Sequence, residues 1–483
     1  MESIWSKTCT IPTRKSLQKD IKTEVAVIGA GMAGILIAYQ LQKAGKQVII
    51  LEADRIASGQ TKNTTAKITS QHDLKYNELI NTFGHKKAQQ YAAANEKAIT
   101  EYKRIIEEEN IPCHFEQTSA YVYSKVVLKL KKEWTAANSL GIPASFLSHT
   151  ETPIGKIPAL RFDHQAQFHP LEFIKSLSAQ LEIYEKTPVQ TVEDHMIKTP
   201  KAAITAKHIV FATHYPFINF PGMYFTRMHQ ERSYVLALEN VPLMEGMFIG
   251  NQDTKLSFRS FDKYLLFGGC GHRTGDNRNG GKYKILRDKA KELFPDAIEV
   301  AHWSAQDCIP ADGIPYIGKY SNQKPFWYVA TGFQKWGMTS AMVSAMIIKD
   351  LIFEKENPYA DVFDPHRLSA EAVEGIACEM KEATKTLTKR FFKLPEITEK
   401  ELPVGHGGIV EIDGEKVGVY KEADGTAHIV GIRCPHLGCQ LEWNPDEKSW
   451  DCPCHGSRFD FRGHIINNPA QENISLNKER PLP

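Results

Sequence analysis

Glu24-Val25-Ala26-Val27-Ile28-Gly29-Ala30-Gly31-Met32-Ala33-Gly34 is the stretch on which the fold turns. Glu24 to Ile28 reads as a short buried strand, Ile35 to Lys43 as an apolar helix, and Gln47 to Leu51 as a second strand ending on Glu52. A G-x-G-x-x-G turn with a strand before it, a helix after it and an acid about 20 residues on is a dinucleotide-binding turn. Gly29 permits the tight turn, Gly31 lets the backbone approach a pyrophosphate, and Gly34 lets helix and strand pack closely. The helix N-terminus then offers free amides and a positive dipole end to the phosphates. Glu52 is placed to accept hydrogen bonds from a ribose hydroxyl pair. The turn by itself leaves FAD and NAD both open.

Segments further along narrow the choice. Asp54 to Thr69 is a loop unusually rich in small hydroxyl residues, able to pass close to a bulky cofactor. Lys207 to Thr213 reads as a strand ending in Ala-Thr, and Asp312-Gly313-Ile314-Pro315-Tyr316-Ile317-Gly318 follows far downstream. Trp327 to Gly332 is another strand, and Gly337 opens a helix through Ile348 to about Leu351. Together these segments resemble the D-amino-acid-oxidase-like family of FAD oxidoreductases, which includes glycine and sarcosine oxidases. The resemblance runs from about Ile21 to Phe363, with specific motifs at both ends and a divergent middle.

That resemblance implies an α/β Rossmann-type FAD-binding domain (about 21–72, 184–220 and 302–363) interleaved with an α+β substrate domain (about 73–183 and 221–301). Together they make an FAD-dependent oxidoreductase over 1–365. It implies FAD contacts at Gly29, Gly31, Gly34, Glu52, Thr65, Lys67, Val189, Thr213, Gly332, Gly337 and Met338. The helix opening at Gly337 is expected to aim its N-terminus at the flavin N1–C2=O edge, where reduced flavin gathers negative charge. Val189 to Val192 matches the adenine-side strand, and Phe168-His169-Pro170 the family's turn into a helix. Arg259 lies on the strand whose arginine pairs with a substrate carboxylate in the family, a task that suits a bidentate guanidinium. A structural arginine is the alternative. Lys335 is the second catalytic candidate, and Lys67, His72 and Trp336 are further pocket candidates, against the ordinary reading of solvated lysines and packed aromatics. Some members attach FAD through a His after the second strand; Gln60 to Thr65 contains neither His nor Cys, so noncovalent FAD is expected.

Near the other end stand Cys434-Pro435-His436-Leu437-Gly438-Cys439 and Cys452-Pro453-Cys454-His455-Gly456-Ser457. Each half offers one Cys and one His to a metal centre. Zinc fingers usually separate their Cys pair from their His pair. Here the two types alternate, as in a cluster where thiolates hold one iron and imidazoles the other. A zinc ribbon, or a pair of unrelated disulfides, remains the alternative on the residues alone. The double motif resembles the Rieske [2Fe–2S] family. By that resemblance Cys434, His436, Cys452 and His455 are iron ligands, and Cys439 and Cys454 form the disulfide of the respiratory-type branch. Ser457 then donates to a cluster sulfur and raises its potential. Strand-like runs Gly408 to Ile412, Lys416 to Tyr420 and His428 to Ile432, with turns at Asp413-Gly414 and Asp424-Gly425, predict a small all-β domain over 403–483. In the connector, 366–402, Val373, Ile376, Met380, Ala383 and Leu387 recur at helical spacing.

A chain of 483 residues holds two or three domains. With 59 basic and 57 acidic residues it has a net charge of +2, which predicts no attraction to nucleic acid or anionic lipid. Of nine cysteines, five are scattered without a pairing pattern, so a secreted disulfide scaffold is not expected. The longest apolar run, Met338 to Phe353, is broken by Ser340, Ser344, Lys349 and Asp350, and no stretch approaches the roughly 20 residues of a membrane span. A cytoplasmic protein is the expectation. A flavin accepts two electrons and a Rieske cluster carries one, so the pair reads as a converter: a small amine or amino-acid-like substrate reduces FAD, and the cluster passes electrons to an external acceptor. The reverse direction, or a redox sensor without turnover, stays open. An acceptor is expected to dock on an exposed face around His436 and His455.

Overall fold

The strand Ile21–Ile28 lies in the middle of a mainly parallel eight-stranded sheet. From one edge the order is Tyr316–Ser321, Lys324–Thr331, Ala203–Phe211, Ile21–Ile28, Val48–Leu51 and Glu182–Tyr184. These strands read as continuous apolar runs because both faces are covered. The helices Met32–Lys43 and Gly337–Ile352 pack on each other, and the first is buried from Met32 through Leu41. The computed structural model describes residues 1–252, 255–367, 375–377, 379, 381 and 401–476. No helix among the described residues is long and apolar enough to cross a membrane.

Val189 does not lie on a strand. The edge strand is Glu182–Tyr184, and Thr191–Glu193 belongs to a hairpin with Met196–Lys198. Pro188 interrupts the run, and the Thr187 amide donates to the Glu52 carbonyl at 2.8 Å, so Val189 sits in the loop between and packs on the core.

A second, nine-stranded sheet forms the other layer. Its order is Ile298–Pro310, Met228–Glu239, Tyr264–Arg273, Ser257–Phe261, Met247–Gly250, Glu116–Tyr123, Gly155–Gln167 and Lys67–Ile68, with Ala144–Thr152 paired to Gly155–Gln167. Lys67 pairs with Gln167, so this sheet anchors the end of the hydroxyl-rich loop. The strand Glu116–Tyr123 stops before Val127, which opens the helix Val127–Ser139. The strand Ile298–Pro310 runs unbroken across the boundary expected near 302, pairing along most of its length with Met228–Glu239.

The C-terminal region is all-β. Gly407–Ile412, Glu415–Lys421 and Ala427–Gly431 form one sheet; Glu442–Asn444, Ser449–Asp451, Arg458–Asp460 and Ile465–Asn467 form another. Asp413 (φ 53°) and Gly414 (φ 79°) make the tight hairpin that an Asp-Gly pair favours. Of the predicted connector face, Ile376 lies in a helical segment; Val373, Met380, Ala383 and Leu387 fall outside the described residues.

This domain is seated on the nine-stranded sheet by buried charge. Glu447 accepts from Arg232 Nε at 3.1 Å, Arg458 Nη2 at 2.7 Å and Ser304 Oγ at 2.8 Å, with all three charged side chains at most 5% exposed. Burial alone would raise the Glu447 pKa, but the two arginines hold it well below the carboxylate range. Nearby, Asp446 accepts the amides of Gly281 (3.0 Å) and Lys282 (2.8 Å), capping the helix Lys282–Leu293 from across the interface. Replacing Glu447 by Gln leaves two buried guanidinium groups short of a counter-charge. The expected cost is about 3–5 kcal/mol in urea denaturation; a variant as stable as the parent would show that this triad does not hold the domains together.

Candidate redox site

The glycine turn is shaped by contacts that exclude a side chain. A Cβ on Gly29, whose φ is 106°, would lie 2.5 Å from the Ala212 carbonyl oxygen, and one on Gly34 would lie 1.9 Å from that of Gly29. Glu52 reaches under the turn: one carboxylate oxygen accepts the Ala30 amide at 2.8 Å and the other the Asp54 amide at 2.9 Å. Gly31 caps the helix Met32–Lys43 with no side chain of its own, and the Thr61 hydroxyl takes the Met32 amide at 3.0 Å. The turn after Ala203–Phe211 brings Thr213 alongside, its Cα 3.5 Å from a Cβ built on Gly29. The second helix expected to face the cofactor opens at Gly337 without a side-chain cap, and a Cβ there would meet open space. A helix N-terminus at Met32 with only its first amide taken by Thr61, an uncapped one at Gly337, and a turn open to close backbone approach fit an anionic dinucleotide. The residues present therefore fit FAD, which Gly29, Gly31, Gly34, Glu52 and Thr213 would hold, with Gly337 beyond.

Arg259 has other work than bidentate carboxylate pairing. It is fully buried; Nε donates to Gln167 Oε1 (2.8 Å), Nη1 to the Thr65 and Ala66 carbonyls, and Nη2 to the Phe168 carbonyl (2.9 Å). Four of the five N–H donors of a guanidinium are thereby committed. Arg259 thus positions the backbone that carries Thr65 and Lys67. Lys67 lies beside it, with Nζ bonded to Thr65 Oγ1 at 3.0 Å. Burial, and then the Arg259 charge, lowers the Lys67 pKa to about 7. Among the described residues neither cation forms an ion pair.

Lys335 is not a base either. Its amine lies 3.0 Å from Asp307 and 3.7 Å from Glu231. Burial would lower its pKa, but the two carboxylates outweigh this and raise it, holding the amine protonated. His72 is a satisfied core residue: Nδ1 bonds Tyr91 Oη at 2.7 Å, Nε2 bonds the Thr69 carbonyl at 2.7 Å, and the ring stacks on Trp336. Met338 is buried, and its carbonyl accepts from Tyr102 Oη at 2.9 Å. Gly332 (φ 75°) turns the chain against Pro310, and Thr65 contributes its carbonyl to Arg259.

The two Cys/His loops share one backbone design. The amides of Gly438 and Gly456 return to the carbonyls of Cys434 and Cys452, each at 2.9 Å; the amides of Cys434 and Cys452 donate to the carbonyls of Cys439 (2.9 Å) and Ser457 (2.8 Å). Both glycines have positive φ, 82° and 79°, which closes each loop tightly. A Cys439–Cys454 disulfide ties the loops together, and Cys452 Sγ lies within 4.8 Å of both bridge sulfurs. The His436 and His455 rings stand 4.9 Å apart at 89°. Both Nδ1 atoms are buried and have no hydrogen-bond partner among the described residues, which suits them to metal ligation. Burial depresses the two pKa values to about 4 and about 3, so both imidazoles are neutral, as metal ligation requires. Two free thiols, Cys434 and Cys452, complete the donor set. The residues fit a [2Fe–2S] cluster of mixed ligation. Ser457 lies beside Cys434 and lowers its pKa after the larger effect of Cys452, while the Ser457 hydroxyl accepts the Ala470 amide at 3.0 Å.

The histidine edge is covered in part by the flavoprotein region: His455 is buried and His436 half-buried. His455 is 4% exposed, and His436 Nε2 bonds Asn219 Oδ1 of the flavoprotein region at 2.8 Å. The Phe225 ring lies 6.3 Å from His436 and 6.0 Å from His455. Gln230 Nε2 donates to the His455 carbonyl at 2.6 Å and Gln306 Nε2 to that of Gly456 at 2.7 Å. Asn468 Nδ2 donates to the carbonyls of Thr213 (2.8 Å) and Tyr215 (2.6 Å), so the turn that flanks the glycine motif is bonded to the cluster domain. Asn219, Gln230, Gln306 and Asn468 carried no signal in the sequence, since ordinary polar residues acquire this role only through contacts across domains. Asn219→Ala should leave FAD in place and shift the pH dependence of the cluster potential, because it removes the partner of a ligand imidazole. An unchanged potential from pH 6 to pH 9 would contradict that coupling.

Comparison with known proteins agrees with both halves. Residues 24–351 match the family of FAD dependent oxidoreductases, and residues 393–478 match the Rieske [2Fe-2S] domain. A Bacillus subtilis (strain 168) protein, YhfW, named as a Rieske 2Fe-2S iron-sulfur protein, is 36% identical over 488 residues, covering 97% of this chain and 96% of its own. Glycine oxidase from Geobacillus kaustophilus superposes with a TM-score of 0.61 at 19% identity, covering 72% of this chain and 99% of its own. L-proline dehydrogenase from P. horikoshii gives 0.60 at 18%, covering 72% and 98%. The chain belongs to the FAD dependent oxidoreductase family and carries a Rieske [2Fe-2S] domain after its flavoprotein region.

Proposed function

We propose that the protein oxidises a small amine or amino-acid-like substrate and sends the electrons through the cluster to an external one-electron acceptor. When bound, FAD supplies a two-electron acceptor and the cluster a one-electron carrier. The observation that carries this reading is the orientation of the cluster loops. Their histidine edge is bonded to the flavoprotein region, through Gln230 to His455 and through Asn219 to His436. Asn468 bonds the cofactor-side turn at Thr213. Such an arrangement supports transfer between two centres of one chain.

The substrate class rests on charge. Lys67 and Arg259 place two positive groups together in a buried position with no ion-pair partner among the described residues. Burying cations without an anion is costly, and a substrate carboxylate would relieve it. Lys67 is the contact for that carboxylate, with Arg259 holding its loop. The solved relatives named above, an oxidase of glycine and a dehydrogenase of proline, act on substrates of this kind by their titles. Cys9, Cys113, Cys270 and Cys308 are unpaired, which supports a reducing compartment such as the cytoplasm.

Anaerobic addition of amino acids, N-alkyl amino acids and simple amines, followed by absorption spectroscopy, tests the reading. A substrate should bleach the flavin and then the cluster; a broad panel in which nothing bleaches the flavin would remove it. Lys67→Met should raise KM for carboxylate-bearing substrates roughly 10–100-fold, with a smaller effect on the matching amine lacking the carboxylate. Because the free amine titrates near pH 7, binding a carboxylate takes up a proton above that pH, and carboxylate affinity should decline as pH rises through it. Affinity that is flat from pH 6 to pH 9 would exclude Lys67 as the contact.

A further inference from the structure

Pro453 and Cys454 separate Cys452 from His455 in the second ligand loop, and one side chain of the flavoprotein region bonds the carbonyls of both. Arg273 ends the strand Tyr264–Arg273; its Nε donates to the Pro453 carbonyl at 3.2 Å and its Nη2 to that of Cys454 at 3.4 Å. The turn after it packs directly on the loop. A Cβ on Gly275, whose φ is 87°, would lie 2.8 Å from Pro453 Cα and 2.9 Å from its backbone nitrogen. Gln230 and Gln306 hold the next two carbonyls, those of His455 and Gly456, but both are neutral. Arg273 is the charged member of these three.

The opposite edge of the guanidinium meets a carboxylate from the connector. Glu379 accepts from Arg273 Nη2 at 2.5 Å and from Nη1 at 3.3 Å, and His229 Nδ1 lies 2.8 Å from it. Burial would raise the Glu379 pKa, but His229 and Arg273 hold it down at about 2, so the carboxylate is charged. The Arg273 and Glu379 side chains are 21% and 11% exposed, so water screens their charges only in part. The pair is a dipole with its positive end on the ligand loop. Its field reaches a ligand imidazole: burial is the main cause of the low His455 pKa, His436 and Arg273 add to it, and Glu379 opposes it.

We propose that Arg273 is a charge-tuning and positioning group for the [2Fe–2S] cluster, raising its potential, and that Glu379 moderates this from the connector. Reduction by one electron, whether from the flavin or from an external donor, adds one negative charge to the centre. A fixed guanidinium charge beside the loop favours that state, and a carboxylate disfavours it. Neither side chain gains or loses a proton in the step. The inference depends on the cluster alone, and on neither the substrate nor the direction of electron flow.

The test is the midpoint potential of the cluster in the full chain, from titration with dithionite and redox mediators followed by EPR. Measurement at pH 6 keeps His229 charged: burial would lower its pKa, but Glu231 and Glu379 outweigh this and raise it, and Glu231 is retained in every variant. Arg273→Gln should lower the midpoint, and Glu379→Gln should raise it. Arg273→Lys keeps the charge without the planar fork, so its midpoint should lie closer to the parent than that of Arg273→Gln. A mere loosening of the loop would move all three in one direction. A midpoint unchanged in Arg273→Gln, or a lysine variant as low as the glutamine one, would overturn the proposal. Flavin absorbance and the cluster's EPR line shape confirm that each variant is folded and loaded. Should the Arg273 variants lose the cluster, Glu379→Gln still decides, because it leaves the bonds to the loop in place; a midpoint that does not rise there would overturn the proposal.

Discussion

The Glu447 side chain is only 2% exposed, so the position of its carboxylate is dictated by the arginines that neutralise it. Arg232 comes from a long strand of the flavoprotein sheet and Arg458 from the strand that follows the second ligand loop. A buried carboxylate between two such groups tolerates little displacement, because moving any one of them exposes an unpaired charge to a low-dielectric interior. The triad therefore fixes the register of the small β domain on the larger one. The Asp446 cap on Lys282–Leu293 adds a second constraint a residue away.

Given that register, the ligand loops face inward. His455 is buried, His436 is tied to Asn219, and the carbonyls of the second loop are held by Gln230 and Gln306. On the first loop Pro435 and Leu437 are exposed and His436 is half-buried between them, whereas His455 of the second loop is buried. The imidazole edge is turned toward the flavoprotein segment that follows Thr213 and carries Tyr215, Asn219 and Phe225.

Much of this was legible in the sequence where the chemistry is local. Gly29, Gly31 and Gly34 announce their task because a turn, its flanking strand and its helix lie within a few residues of one another. Cys434, His436, Cys452 and His455 stand out because few other chemistries call for alternating thiol and imidazole at that spacing. Arg259 was misread because its partners, Thr65, Ala66, Gln167 and Phe168, come from other parts of the chain and are backbone carbonyls as much as side chains. The partners of Lys335 could not be read locally, because Asp307 and Glu231 belong to neighbouring strands of the sheet. The whole interface was invisible: Asn219 and His436 are 217 residues apart, Thr213 and Asn468 are 255 apart, and Arg232 and Glu447 are 215 apart. No periodicity or composition marks a pair at such separations.

The central claim is that flavin and cluster exchange electrons inside one chain. Linking two centres makes their encounter first-order, with a rate set by the docked geometry and not by protein concentration. Flash reduction of the flavin in anaerobic holoenzyme, with the cluster's visible band followed in time, measures this directly. The account predicts single-exponential bleaching of the cluster at a rate unchanged over a hundredfold range of protein concentration. A rate that rises in proportion to concentration, or a cluster that stays oxidised while the flavin is reduced, would contradict it.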